Sequence, residues 1–227
     1  MQPTKSYTFY IIFTIILCFE TLIADWLDLN WIHYISKPLV VISLIVFFLI
    51  NSKHLRNNVR MLTVLALGFS VLGDVLLLFV SVSEYFFISG LIAFLIAHIF
   101  YCLVFLKHRD KNKKPYGFIA LLLVYAFGLF WFLKSGLNAL LIPVILYMLI
   151  ILAMATSAFL RDKKVGANSY NLVFLGALIF MVSDSLLAFN KFYLPFYLAD
   201  FSIMFTYALA QLLIVKGLIT QSNKGSL

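Results

Sequence analysis

Eight stretches of almost unbroken apolar residues, parted only by short polar breaks, constrain this chain more than anything else in it. They run near residues 7–24, 37–50, 61–80, 86–106, 116–133, 139–160, 171–189 and 196–216. Each approaches the length an α-helix needs to cross hydrocarbon. The apolar residues are continuous and do not alternate, which favours helices over a β-barrel. With 64% of 227 residues hydrophobic and only 11% charged, no soluble domain could hide so much apolar surface. The expectation is an all-α, eight-helix transmembrane bundle forming a single integral membrane domain over 1–227. The second span is the shortest. The first lacks a small-residue cleavage site and reads as a span, not a cleaved signal.

The net charge of +8 does not point to nucleic acid, because the basic residues are sorted by loop. Fourteen of the seventeen Lys and Arg fall at the N-terminus (Lys5), in 51–60, in 107–115, in 161–170 and in the tail (Lys216, Lys224). Only Lys37, Lys134 and Lys191 fall on the other side. By the positive-inside rule both termini are cytoplasmic. A bacterial cytoplasmic membrane suits such a chain, and membrane lipids are its expected surroundings. Cys18 and Cys102 sit inside apolar spans and read as small apolar residues.

One phrase occurs twice. Gly73-Asp74-Val75-Leu76-Leu77-Leu78-Phe79 is echoed by Ser183-Asp184-Ser185-Leu186-Leu187-Ala188-Phe189. Each copy sets a carboxyl deep in an apolar span, at a cost of roughly 2.5–3.5 kcal/mol on insertion scales. The similarity extends from Leu65–Phe79 onto Leu175–Phe189. In the following span, Phe94–His98 resembles Tyr207–Gln211. Helices three and four therefore look like helices seven and eight. That pattern suggests two parallel four-helix halves, about 1–110 and 111–227.

At a rise of about 1.5 Å per residue, Asp74 and Asp184 lie level, about 20 Å from the basic face, with Glu20 at similar depth. Clustered carboxyls in a low-dielectric hollow do not all ionise, and a protonated acid beside an ionised one suits general acid/base hydrolysis. The competing reading has the acids holding helices together through Ser70, Ser183 or backbone carbonyls. His98 either relays a proton or bridges helices. Lys37-Pro38 opens the second helix and either snorkels or receives a substrate phosphate. Glu20 and Gln211 are further polar contacts for a substrate. One intramembrane His with a few acids is a poor zinc set, so no metal is expected. No phosphate-cradling glycine loop or nucleophile elbow appears, and no cofactor is expected.

Several short motifs resemble the YhhN-like lysoplasmalogenase family of multi-pass membrane proteins. They are Lys37-Pro38-Leu39, Leu72-Gly73-Asp74 and Gly90-x-x-Ala93-Phe94-x-x-Ala97-His98-x-x-Tyr101. Gly176-Ala177-x-x-Phe180-x-x-Ser183-Asp184 and Tyr207-x-x-Ala210-Gln211-x-Leu213-Ile214 follow in order. The resemblance implies an eight-helix bundle that hydrolyses the vinyl-ether bond of a lysophospholipid substrate. The products would be a fatty aldehyde and a glycerophospho-base. Asp74, Asp184 and His98 would be catalytic, and Lys37, Glu20, Gln211 and Tyr101 would contact substrate. The alternatives are an ion-coupled transporter and a non-catalytic lipid-binding protein.

Overall fold

The structure, a computed structural model, describes residues 3–23 and 30–221. Ala24, the expected end of the first span, and Lys224 lie outside the described residues. Eight α-helices and no strands occur among those described. They are α1 (Pro3–Cys18), α2 (Asn30–Asn51), α3 (Asn57–Leu77), α4 (Glu84–Leu106), α5 (Tyr116–Leu133), α6 (Leu141–Phe159), α7 (Ala167–Phe192) and α8 (Ala199–Ile219). A π-helical turn, Phe19–Ile23, continues α1, and a 3₁₀ turn, Asn138–Leu140, precedes α6. Seven segments are long and apolar enough to cross a membrane, while the apolar part of α1, Tyr7–Thr21, is shorter. The chain is an integral, multi-pass membrane protein.

Two prolines depart from expectation. Helix α2 starts at Asn30, so Lys37-Pro38 does not open it, and Pro38 lies inside the helix. The polar and aromatic residues Asn30, His33 and Tyr34 extend the helix beyond the apolar run that marked its start in the sequence. Pro38 has no N–H to give the carbonyl four residues earlier, a defect that transmembrane helices tolerate. Pro143, the fifth residue of the span expected over 139–160, occupies the first turn of α6 because that helix starts later, at Leu141, and a missing N–H costs nothing there.

The chain divides into two compact units, residues 1–97 and 98–227, with the boundary inside α4. In the first unit, Phe9 of α1 stacks on Phe47 of α2 with ring centroids 3.8 Å apart. Val40, Val41, Leu44 and Phe48 of α2 and Ala66 and Leu67 of α3 are fully buried. Gly73 of α3 lies under the Phe94 ring, where an added Cβ would come within 2.6 Å.

The second unit is built on α7 and α8, which approach backbone to backbone. A Cβ on Gly176 would meet the Ala210 carbonyl oxygen at 2.9 Å and the Ile214 nitrogen at 3.0 Å. Hydrocarbon is as apolar as leucine, so close packing and hydrogen bonds, not water exclusion, hold such helices together. Ser183 of α7 adds one such bond, donating to the Ile203 carbonyl at 3.0 Å. Helix α5 is the least buried of the seven long spans and presents Leu121, Val124 and Phe127 outward. Its Tyr125 hydroxyl reaches Ser185 Oγ at 2.7 Å, and Phe118 stacks on Phe159 of α6.

Candidate active site

Three polar side chains meet inside the second unit. Asp184 comes from the middle of α7, Tyr147 from α6 and His98 from α4. The Tyr147 hydroxyl donates to Asp184 Oδ2 at 2.5 Å. His98 Nε2 lies 3.7 Å from the same oxygen. That separation permits an ionic interaction but is too long for a hydrogen bond. Phe180, one turn before Asp184, meets the imidazole edge to face at 4.6 Å, and Tyr147 does so at 5.4 Å. Aromatic rings thus fix the plane of the imidazole while leaving its nitrogens unused.

Those nitrogens are the most telling feature of the site. His98 is fully buried, and neither Nδ1 nor Nε2 has a hydrogen-bond partner among the described residues. Leaving a buried polar group unsatisfied costs about 1–3 kcal/mol, so folding alone gives little reason to keep an imidazole there. An incoming water or substrate oxygen would supply the missing partner. Asp184 is open enough to meet one, its side chain being 14% exposed. A carboxyl, a phenol that hydrogen-bonds it and an imidazole within reach can together donate, accept and relay a proton.

The other expected site residues have these surroundings within their own units. Asp74 is in the first unit, on α3, and is 1% exposed. Ser70, one turn before it, is fully buried and donates to the Ala66 carbonyl at 3.0 Å. Glu20 is also in the first unit, buried in the π turn, where it accepts a hydrogen bond from Ser36 and sits 3.2 Å from His33 Nδ1. Half-buried Lys37 follows Ser36 directly on α2. In the second unit Tyr101 donates to Gln211 Oε1 at 2.5 Å, and both are fully buried. That pair ties α4 to α8.

An open apolar groove of about 570 Å³ lies between α5 and α6, lined by residues including Phe127, Phe130, Met148 and Leu152. By helical register its α6 residues face away from Tyr147, so the groove is distinct from the Asp184 site.

Tyr147 and the Glu20–His33 pairing escaped the sequence reading. A tyrosine in a leucine-rich helix looks like core material, and His33 lay outside the expected apolar run. The spacing that sets Tyr147 on the buried face with Val144, Ile151 and Ala155 was the available signal.

Fold and site together define a multi-pass helical membrane protein with ionisable side chains gathered inside its apolar interior. The YhhN family model matches residues 32–218, and the chain belongs to the YhhN family. No curated protein and no solved structure matches it.

Proposed function

We propose that this protein is a membrane hydrolase that cleaves the vinyl-ether bond of lysoplasmalogen-type lysophospholipids. Its products are a fatty aldehyde and a glycerophospho-base. The observation carrying this reading is the Asp184 carboxyl, bonded by Tyr147 and approached by an imidazole with two unused nitrogens. Membership of the YhhN family, which includes lysoplasmalogenases, supplies the substrate class.

Hydrolysis of a vinyl ether begins with protonation of the carbon remote from oxygen. The C=C pair takes the proton, and the neighbouring carbon becomes part of an oxocarbenium ion. Water adds to that carbon and loses a proton, giving a hemiacetal. The hemiacetal C–O bond then breaks, the glycerol oxygen leaves with a proton, and the aldehyde carbonyl forms. One water is consumed and nothing is oxidised or reduced.

In this scheme protonated Asp184 delivers the first proton, and its carboxylate then faces the cation it has created. Tyr147 holds Oδ2, fixing the carboxyl plane and leaving Oδ1 for the substrate. His98 accepts the proton from the attacking water and returns it to the leaving oxygen, and the Asp184 carboxylate recovers its proton from the hemiacetal hydroxyl as the carbonyl forms. Asp74 is assigned to the reaction as its second carboxyl, on its burial and on the phrase it shares with Asp184. Lys37 and Glu20 are assigned to the substrate headgroup, and Tyr101 and Gln211 to the support of the His98 helix. The sorted basic residues support cytoplasmic termini, and a bacterial cytoplasmic membrane is the proposed location.

The test offers purified protein in detergent a lysoplasmalogen and, separately, the ester lysophospholipid of the same headgroup and chain length. Aldehyde released from the first, and no fatty acid from the second, is the expected outcome. Absence of aldehyde, with proton-linked flux in liposomes, would make the protein a carrier instead.

A further inference from the structure

Arg161 sits outside the spans, in the turn between α6 and α7, and it is fully buried. Its Nη2 donates to Gln221 Oε1 at 2.9 Å and lies 3.3 Å from Ser169 Oγ. Its Nε and Nη1 have no hydrogen-bond partner among the described residues. No carboxylate among the described residues lies within ion-pair distance of it, and the adjacent Asp162 is taken by Lys113 at 2.9 Å. A buried guanidinium with neither counter-charge nor a full set of acceptors is among the costliest groups a protein can carry. Desolvation pulls Arg161 down to about 9.

A second observation points the same way. Ser169 belongs to the first turn of α7, a helix of 26 residues whose N-cap, Gly166, offers no side-chain cap. The N–H groups of that turn therefore carry the unsatisfied positive end of a long helix. Ala167 and Asn168 of the same turn are exposed, as are the flanking Lys163 and Lys164. Two unpartnered guanidinium donors, an uncapped helix start and two exposed lysines thus fall within residues 161–169. A tetrahedral oxyanion accepts from a single guanidinium N–H and from helix-start N–H groups alike, and the positive charge of both favours it.

We propose that Arg161 and the first turn of α7 form a binding site for a phosphate group, separate from the Asp184 site. Fifteen residues of α7 part Ser169 from Asp184, about 22 Å along the helix, so the bound phosphate is not that of a substrate reacting at Asp184. The phosphate comes either from an anionic lipid headgroup or from free phosphate.

The test reads thermal unfolding of the full-length protein in detergent at constant ionic strength, and activity plays no part in it. One arm titrates inorganic phosphate; another titrates phosphatidylglycerol into the micelles against phosphatidylcholine. A rise in Tm with phosphate identifies the free anion as the source, and a rise with phosphatidylglycerol alone identifies the headgroup. In either case Arg161→Lys, which keeps charge but loses the guanidinium N–H donors, weakens the apparent affinity at least about tenfold. Arg161→Met abolishes the response, and should that variant not fold, Arg161→Lys alone carries the comparison. The pair Lys163→Gln and Lys164→Gln weakens it less than Arg161→Lys does. The proposal is overturned if neither ligand raises the Tm of the wild type. It is equally overturned if Arg161→Lys responds as the wild type does, or if only the lysine pair matters.

Discussion

Asp74 and Asp184 occupy the same position in twin phrases, yet their surroundings differ. Asp74 is closed off at 1% exposure, one turn beyond a buried serine and next to a glycine pressed under an aromatic ring. Asp184 is 14% exposed, held by the Tyr147 phenol and faced by an imidazole. The packing register beneath them is nevertheless shared. Gly73 faces Gly90 and Phe94, and the matching Ser183 bonds the carbonyl of Ile203, the counterpart of Gly90. The phrases are alike and their packing register is shared, while the phenol and the imidazole that meet Asp184 come from α6 and α4, outside the repeated phrase.

That contrast can be broken most decisively by removing each acid. Asp184→Asn should cut aldehyde release by about 100-fold or more, the range general acid/base groups contribute. Asp74→Asn should cost nearer tenfold, and the reverse order would overturn the assignment. Tyr147→Phe comes next. It loses one hydrogen bond to the carboxyl and keeps the ring against His98, so kcat should fall about tenfold with KM little changed. A rise in KM alone would make Tyr147 a binding residue.

Stability tests sharpen the same comparison. Gly176→Ala drives a methyl against backbone of α8 and should destabilise the protein by about 1–3 kcal/mol. Gly73→Ala meets the Phe94 ring first, a side chain and not backbone, and should cost less; thermal unfolding of the two variants side by side decides.

The smallest effect belongs to the loop clamp. Burial alone would lower the Lys113 ammonium, but its hydrogen bonds to Asp162 and Tyr170 raise it, and Lys113 in turn lowers Asp162. A carboxyl lowered in the folded state stabilises above its unfolded value, and loses that contribution as pH falls through the folded value. Asp162→Asn should therefore cost at most about 1 kcal/mol at pH 7, and nothing once the pH lies below both values.

Much of this was legible in the sequence for one physical reason: hydrocarbon tolerates few residue types. The spans stood out by continuity, and Asp74, Asp184 and His98 stood out as ionisable groups where none belongs. The start of α2 did not, because Asn30, His33 and Tyr34 carry no apolar signal although they are helical. Tyr147 was hidden because a phenol suits both core and site, and only its partner tells which. The orphaned donors of Arg161 were invisible for the same reason, since a loop arginine is ordinarily solvated.

The central claim is that a buried carboxyl hands its proton to carbon. It is tested most directly by letting the purified protein turn over a lysoplasmalogen in D₂O and reducing the aldehyde to its alcohol as it forms. One deuterium on the carbon next to the former carbonyl is the expected result. Aldehyde carrying only hydrogen at that carbon, or no aldehyde at all, would contradict it.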